Sequence, residues 1–124
     1  MIIRCGFAMF VLIIEDESVI AYDLAEIIEE AVPATALIAR TEDEAVQLAA
    51  SKRPHLIISD HNLKKGTGPG AVQRIAQLYG PVPTIFLTAT PELCTPHGAH
   101  LVMGKPLSEV ELRNHVQAIF SAVP

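Results

Sequence analysis

The run His55-Leu56-Ile57-Ile58-Ser59-Asp60-His61-Asn62 sets the tightest limit on how this chain can fold. Leu56–Ile58 are apolar without a break before Ser59, and the adjacent isoleucines favour a strand covered on both faces. A parallel strand delivers whatever follows it to the carboxyl edge of its sheet, where open α/β folds place their ligands. Asp60 therefore stands where a reactive carboxylate would stand. Taken alone, an Asp after a strand is more often a turn or helix-capping residue. The other strand ends decide between the two readings.

Phe10–Ile14 is a first apolar run and ends in Glu15 and Asp16. Ile20, Leu24, Ile27, Ile28 and Ala31 then recur at helical spacing, with Asp23, Glu26, Glu29 and Glu30 on the solvated face, and Pro33 closes the helix. Ala36–Ala39 reads as a short second strand. Thr41 with Glu44 makes a capping box for a helix through about Ser51, which Pro54 ends. Lys64–Gly70, with three glycines and a proline, reads as a loop before a helix over Ala71–Tyr79. Thr84–Leu87 is the fourth strand and runs into Thr88-Ala89. His100–Met103 is the fifth and runs into Gly104-Lys105-Pro106. Ser108 with Glu111 caps the last helix, Leu107 can staple against Leu112, and Val116, Ile119, Phe120 and Val123 face inward. Pro96 would break a helix over Thr90–Ala99, so a short irregular or mobile element is expected there. Strands alternating with helices predict a parallel sheet with right-handed crossovers and helices on both faces.

Composition narrows the class. The chain has 124 residues, 50% of them hydrophobic, with mean hydropathy +0.35, which argues against disorder and for one domain with one core. A net charge of −5 and scattered Lys and Arg argue against a nucleic-acid surface. Cys5 and Cys94 are isolated and form no CxxC pair, which fits a reducing cytoplasm better than a disulfide scaffold. Met1–Ile14 is apolar but lacks a cleavage site, is too short to span a bilayer and runs into Glu15-Asp16-Glu17, so no membrane association is expected. Residues 1–8 read as an optional extension, with Met1 or Met9 as the start.

The strand ends together carry the chemistry. Glu15, Asp16, Asp60, Thr88 and Lys105 all fall at carboxyl ends of predicted strands. Three acids on one edge repel each other unless a cation joins them. Mg²⁺ suits one or two carboxylates, waters and a phosphate oxygen. With the metal bound, Asp60 can attack a phosphoryl group as a carboxylate nucleophile, while Lys105 and Thr88 stabilise the charge.

Val11-Leu12-Ile13-Ile14-Glu15-Asp16-Glu17, Ser59-Asp60-His61-Asn62, Phe86-Leu87-Thr88-Ala89 and Gly104-Lys105-Pro106 together resemble the receiver domain of bacterial two-component response regulators. The resemblance covers about Phe10 to Phe120. It implies a flavodoxin-like, CheY-like doubly wound five-stranded parallel sheet, order 2-1-3-4-5, in three α/β/α layers, with residues 1–124 as a single receiver domain. It makes Asp60 the phospho-acceptor and Asp16 a direct Mg²⁺ ligand, with Glu15 often acting through water. Asn62 supplies a backbone carbonyl to the metal. Thr88 is the hydroxyl that turns toward the phosphoryl group, and Lys105 pairs with a phosphoryl oxygen beside a typically cis Pro106. Val102 stands where many receivers carry Tyr or Phe. Ile85 to Glu92 is most similar to receivers of general-stress-response regulators, in which a sigma-factor-like domain sequesters an anti-sigma factor. This chain shows no such domain and reads as a free-standing receiver.

The expected function is a single-domain response regulator that takes a phosphoryl group from a sensor histidine kinase or histidine phosphotransfer protein and signals to a downstream protein. The alternative is a phosphate sink or a non-phosphorylated scaffold, and a homodimer is left open. A haloacid-dehalogenase-type phosphatase would need a second aspartate where Asn62 stands, and an FMN-binding flavodoxin would need a phosphate loop after the first strand. His55, His61, His97, His100 and His115 are too dispersed for a metal cluster, although His61 adjoins Asp60. Gly66, Gly68 and Gly70 fit no phosphate-loop pattern. Thr90 is either a helix cap or a residue that tunes hydrolysis.

Overall fold

A computed structural model describes residues 9–91 and 100–122, apart from the His100 side chain. The N-terminal extension, the irregular element over most of 90–99, Cys5, Cys94, His97 and Val123 lie outside the described residues. The elements are β1 (Met9–Ile14), α1 (Ser18–Ala31), β2 (Ala34–Ala39), α2 (Glu42–Ser51), β3 (Leu56–Asp60), α3 (Gly68–Tyr79), β4 (Thr84–Thr88), β5 (His100–Gly104) and α4 (Glu109–Ser121). The five strands form one sheet in the order β2-β1-β3-β4-β5, and each pairing is parallel.

Alternation along β1 and β3 explains why both faces are covered. Val11, Ile13, Leu56 and Ile58 face Leu24, Ile27 and Ile28 of α1 and Leu112 and Val116 of α4. Phe10, Leu12, Ile14 and Ile57 face Ala45 and Ala49 of α2 and Ala71, Val72 and Ile75 of α3. The three central strands β1, β3 and β4 are buried almost throughout, so truncating a core isoleucine such as Ile13 or Ile58 costs about 2–5 kcal/mol. Among the described residues, no helix is long and apolar enough to cross a membrane.

The caps behave as their chemistry dictates. Thr41 Oγ1 accepts the Glu44 amide and Ser108 Oγ accepts the Glu111 amide. The loop expected over Lys64–Gly70 is shorter than its glycines imply. Thr67 is the N-cap, its Oγ1 accepts the Gly70 amide, and Pro69 sits inside the first turn of α3. Pro is tolerated there because that N–H has no helical partner anyway. The strands are also slightly longer than expected, with β2 starting directly after Pro33 and β4 and β5 reaching Thr88 and Gly104.

Register builds the site. Ile14 pairs with Ser59, Asp60 with Leu87 and Thr88 with Gly104, so Glu15, Asp60, Thr88 and Lys105 emerge along one sheet edge.

Candidate functional site

Glu15, Asp16 and Asp60 each bring a carboxylate oxygen within 4.8 Å of the others. The Lys105 ammonium lies 2.6 Å from Asp60 Oδ1. Its backbone amide donates to the Thr88 carbonyl at 2.9 Å, which ties the Lys105 turn to the end of β4. The Lys105–Pro106 bond is cis. Side chains separated by up to 90 positions thus converge because four parallel strands end together.

Burial makes the cluster electrostatically tense. Glu15 is only 1% exposed and Asp60 7%. Glu15 Oε2 accepts the Glu17 amide at 3.0 Å, whereas Glu15 Oε1 is buried without a hydrogen-bond partner. Desolvation above all, with the Asp60 carboxyl beside it, pushes the Glu15 pKa up to about 7. For Lys105, partial burial works against the charge. The Asp60 carboxylate, with Glu15 and Glu17 behind it, more than offsets this and holds the ammonium above its ordinary value. Asp16 is less buried, and its Oδ2 accepts the Lys64 amide at 2.7 Å.

These observations test the fit of a hard cation. An orphaned buried carboxylate oxygen and three converging acids against one ammonium make an oxygen-rich, electron-rich pocket of the kind Mg²⁺ takes. The acidic pocket is compatible with that ion.

Around the centre, Thr88 is buried, and its Oγ1 accepts the Thr90 amide at 3.2 Å and faces Thr90 Oγ1 at 3.4 Å. His61 stacks edge-on against Phe86, and its carbonyl accepts the Gly68 amide. Asn62 pairs across the β3–α3 loop with Thr67. His55 is structural, its Nδ1 accepting the Phe10 amide at 3.2 Å. Val102 packs with the core on the α2/α3 face.

One further side chain, Glu42, holds the loop that follows Asp60, and Arg74 of α3 pairs with it; neither was singled out from the sequence. Glu42 Oε1 accepts the Thr67 amide and Oε2 accepts from Arg74, each at 3.0 Å. Both partners lie more than twenty positions away, so no local pattern could have paired them. Gly66 is the residual signal. It adopts a positive φ of 84°, and a Cβ there would collide with Glu42.

Comparison with known proteins agrees with this geometry. The sequence model of the response regulator receiver domain matches residues 11–117. Over 92 residues, 73% of the chain, it is 45% identical to the phyllosphere-induced regulator PhyR of Methylorubrum extorquens, and the match covers 34% of that protein. The receiver domain of the PhyR response regulator of Erythrobacter litoralis superposes with a TM-score of 0.80 at 28% identity, covering 93% of this chain and 92% of that one. The anti-anti-sigma factor PhyR of Bartonella quintana superposes with a TM-score of 0.73 at 34% identity, covering 94% of this chain and 49% of that one. The chain thus spans well under two thirds of the Methylorubrum and Bartonella proteins. Matched in family, fold and order of elements, the chain belongs to the response regulator receiver domain family of two-component signalling, and within it is similar to PhyR.

Proposed function

We propose that this chain, acting as one receiver unit, accepts a phosphoryl group on Asp60 from a phosphohistidine of a sensor kinase or phosphotransfer protein. One observation carries the proposal: three carboxylates and the Lys105 ammonium meet at a single sheet edge with Asp60 at their centre.

An Asp60 carboxylate oxygen attacks phosphorus, the new P–O bond forms as the donor's P–N bond breaks, and the imidazole leaves with the electron pair. Glu15, Asp16, Asp60 and the Asn62 carbonyl would hold Mg²⁺, which when bound neutralises charge on the phosphoryl oxygens. Lys105 is already against Asp60 and pairs with a phosphoryl oxygen once the transfer is made. Thr88 exchanges its bond with Thr90 for one to the phosphoryl group, which moves the end of β4 as far as Thr90. Hydrolysis by water then returns phosphate and the free carboxylate. The likeness to PhyR supports a downstream protein partner in a stress-response pathway.

The test is incubation with acetyl phosphate and Mg²⁺ followed by intact mass. A gain of about 80 Da that is lost in Asp60→Ala is expected, since one phosphoryl group is added. No gain at any Mg²⁺ concentration would reduce the chain to a scaffold.

A further inference from the structure

Glu42 lies outside the acidic cluster, at the first position of α2, yet the loop that follows Asp60 is fastened to it at two points. Its own amide, one of the unpaired N–H groups of a helix start, donates to the Lys65 carbonyl at 3.3 Å. Its Oε1 accepts the Thr67 amide at 3.0 Å. Its Oε2 takes the Arg74 guanidinium at 3.0 Å, and Arg74 also reaches Asp43 at 2.8 Å. The Thr67 amide bond is the leading cause that holds the Glu42 carboxyl below its ordinary pKa.

What the clamp holds is the wall of the site. Thr67 pairs with Asn62 across the loop. Between them lies Lys64, whose amide donates to Asp16 Oδ2 at 2.7 Å. Lys64, whose amide meets the acidic pocket at Asp16, and Asn62, the proposed source of a carbonyl ligand, therefore sit on a segment pinned from outside.

We infer that Glu42 is a positioning residue for the metal site, clamping the β3–α3 loop so that Asp16 and the Asn62 carbonyl keep the arrangement a divalent cation needs. The inference rests on the proposed Mg²⁺ site. Groups behind metal ligands set ligand orientation and typically govern affinity by one or two orders of magnitude. Among the described residues Glu42 bonds to the loop and to Arg74, and to none of the three acids.

The experiment is an NMR titration with Mg²⁺ alone on the wild type, Glu42→Ala, Glu42→Gln and Asp43→Ala, with hydrogen exchange of the Lys64 and Thr67 amides followed without metal. Glu42→Ala should raise the Mg²⁺ dissociation constant about 10-fold and speed exchange at both amides. Glu42→Gln keeps an acceptor for the Thr67 amide and should stay within about threefold of wild type. Asp43→Ala keeps the Glu42 contacts and should bind as wild type does. Unchanged binding in Glu42→Ala, or equal weakening in Glu42→Ala and Asp43→Ala, overturns the inference. Should the wild type itself bind no Mg²⁺, the proposed metal site fails. The clamp is then judged by the metal-free exchange alone, and an unchanged Lys64 amide in Glu42→Ala refutes it.

Discussion

On the acidic rim of the site, formed by β1, β3 and the β3–α3 loop, Glu15 Oε2 takes the Glu17 amide, Asp16 takes the Lys64 amide, and the loop is fixed to Glu42. On the opposite rim, formed by β4 and β5, the Lys105 side chain is 35% exposed and meets Asp60 as an ion pair, while Thr88 holds a hydroxyl contact two residues away. The difference fits what the proposed function would ask of each rim. Ligands for a small octahedral cation must be placed in advance, because the ion tolerates little distortion. A cation and a hydroxyl that re-pair with an added phosphoryl group must instead be able to exchange their present partners, Asp60 and Thr90.

The sharpest way to break this contrast is to remove Lys105. Lys105→Ala should slow phosphoryl uptake from acetyl phosphate by about 10²-fold even at saturating Mg²⁺, because a group that stabilises transferring charge is lost. Asp16→Asn should also slow uptake, but its deficit should shrink as Mg²⁺ is raised, because the metal is held less well. Time courses by intact mass across a Mg²⁺ series read both. Recovery of Lys105→Ala at high Mg²⁺ would mean that both rims act through the metal.

The acidic rim has a thermodynamic signature of its own. The folded-state pKa of Glu15 is raised to about 7 from an ordinary value of 4.5. Between those values the folded protein keeps a proton that the unfolded chain has released, so stability falls as pH rises through that window. The contribution is complete below about pH 4.5 and gone above about 7, of the order of 3 kcal/mol in the metal-free protein. Glu15→Gln removes the titration. Urea unfolding with chelator from pH 5 to pH 8 should show the mutant gaining on wild type as pH rises. A gap that stays constant with pH would show that Glu15 is not the strained acid.

A smaller effect tests how tightly the same rim is packed. A Cβ at Gly68 would collide with the Asp60 carbonyl oxygen and Ser59 Oγ. Gly68→Ala should therefore destabilise by about 2 kcal/mol, as overpacking against backbone does. A neutral result in urea unfolding would mean that the loop yields, and that the acidic rim is as compliant as the other.

How much of this was legible depended on the range of each interaction. The strands announced themselves through unbroken apolar runs, and Thr41 and Ser108 through capping partners three positions on, because period and capping are local properties. That Glu15, Asp16, Asp60 and Lys105 would meet could be foreseen because strand ends in a parallel sheet share one edge. Thr67 was misjudged because the Gly-Pro-Gly that follows reads as loop, although Pro fits a first helical turn. Glu42 was invisible for a different reason. Its partners Thr67 and Arg74 come near only after α2 and α3 pack side by side on one face of the sheet. The near-complete burial of Glu15, which turns a member of the acidic cluster into a strained acid, likewise depends on every layer at once.

Thr88 gives the smallest expected effect and the finest test of the looser rim. Its Oγ1 accepts from the Thr90 amide, and Thr90 is exposed, so water can replace the lost acceptor in Thr88→Val. The isosteric change should cost under about 1 kcal/mol, visible as a Tm drop of a few degrees. Phosphoryl uptake should fall no more than about 10-fold, well short of the Lys105 loss, because a neutral hydroxyl stabilises transferring charge less than an ammonium does. The chemical-shift change at Thr84–Thr88 and Thr90 on adding acetyl phosphate and Mg²⁺ should shrink strongly. A Thr88→Val protein that takes up phosphoryl normally and still shifts those resonances as wild type does would place the moving part elsewhere, and the rim now described as yielding would have to be counted as fixed.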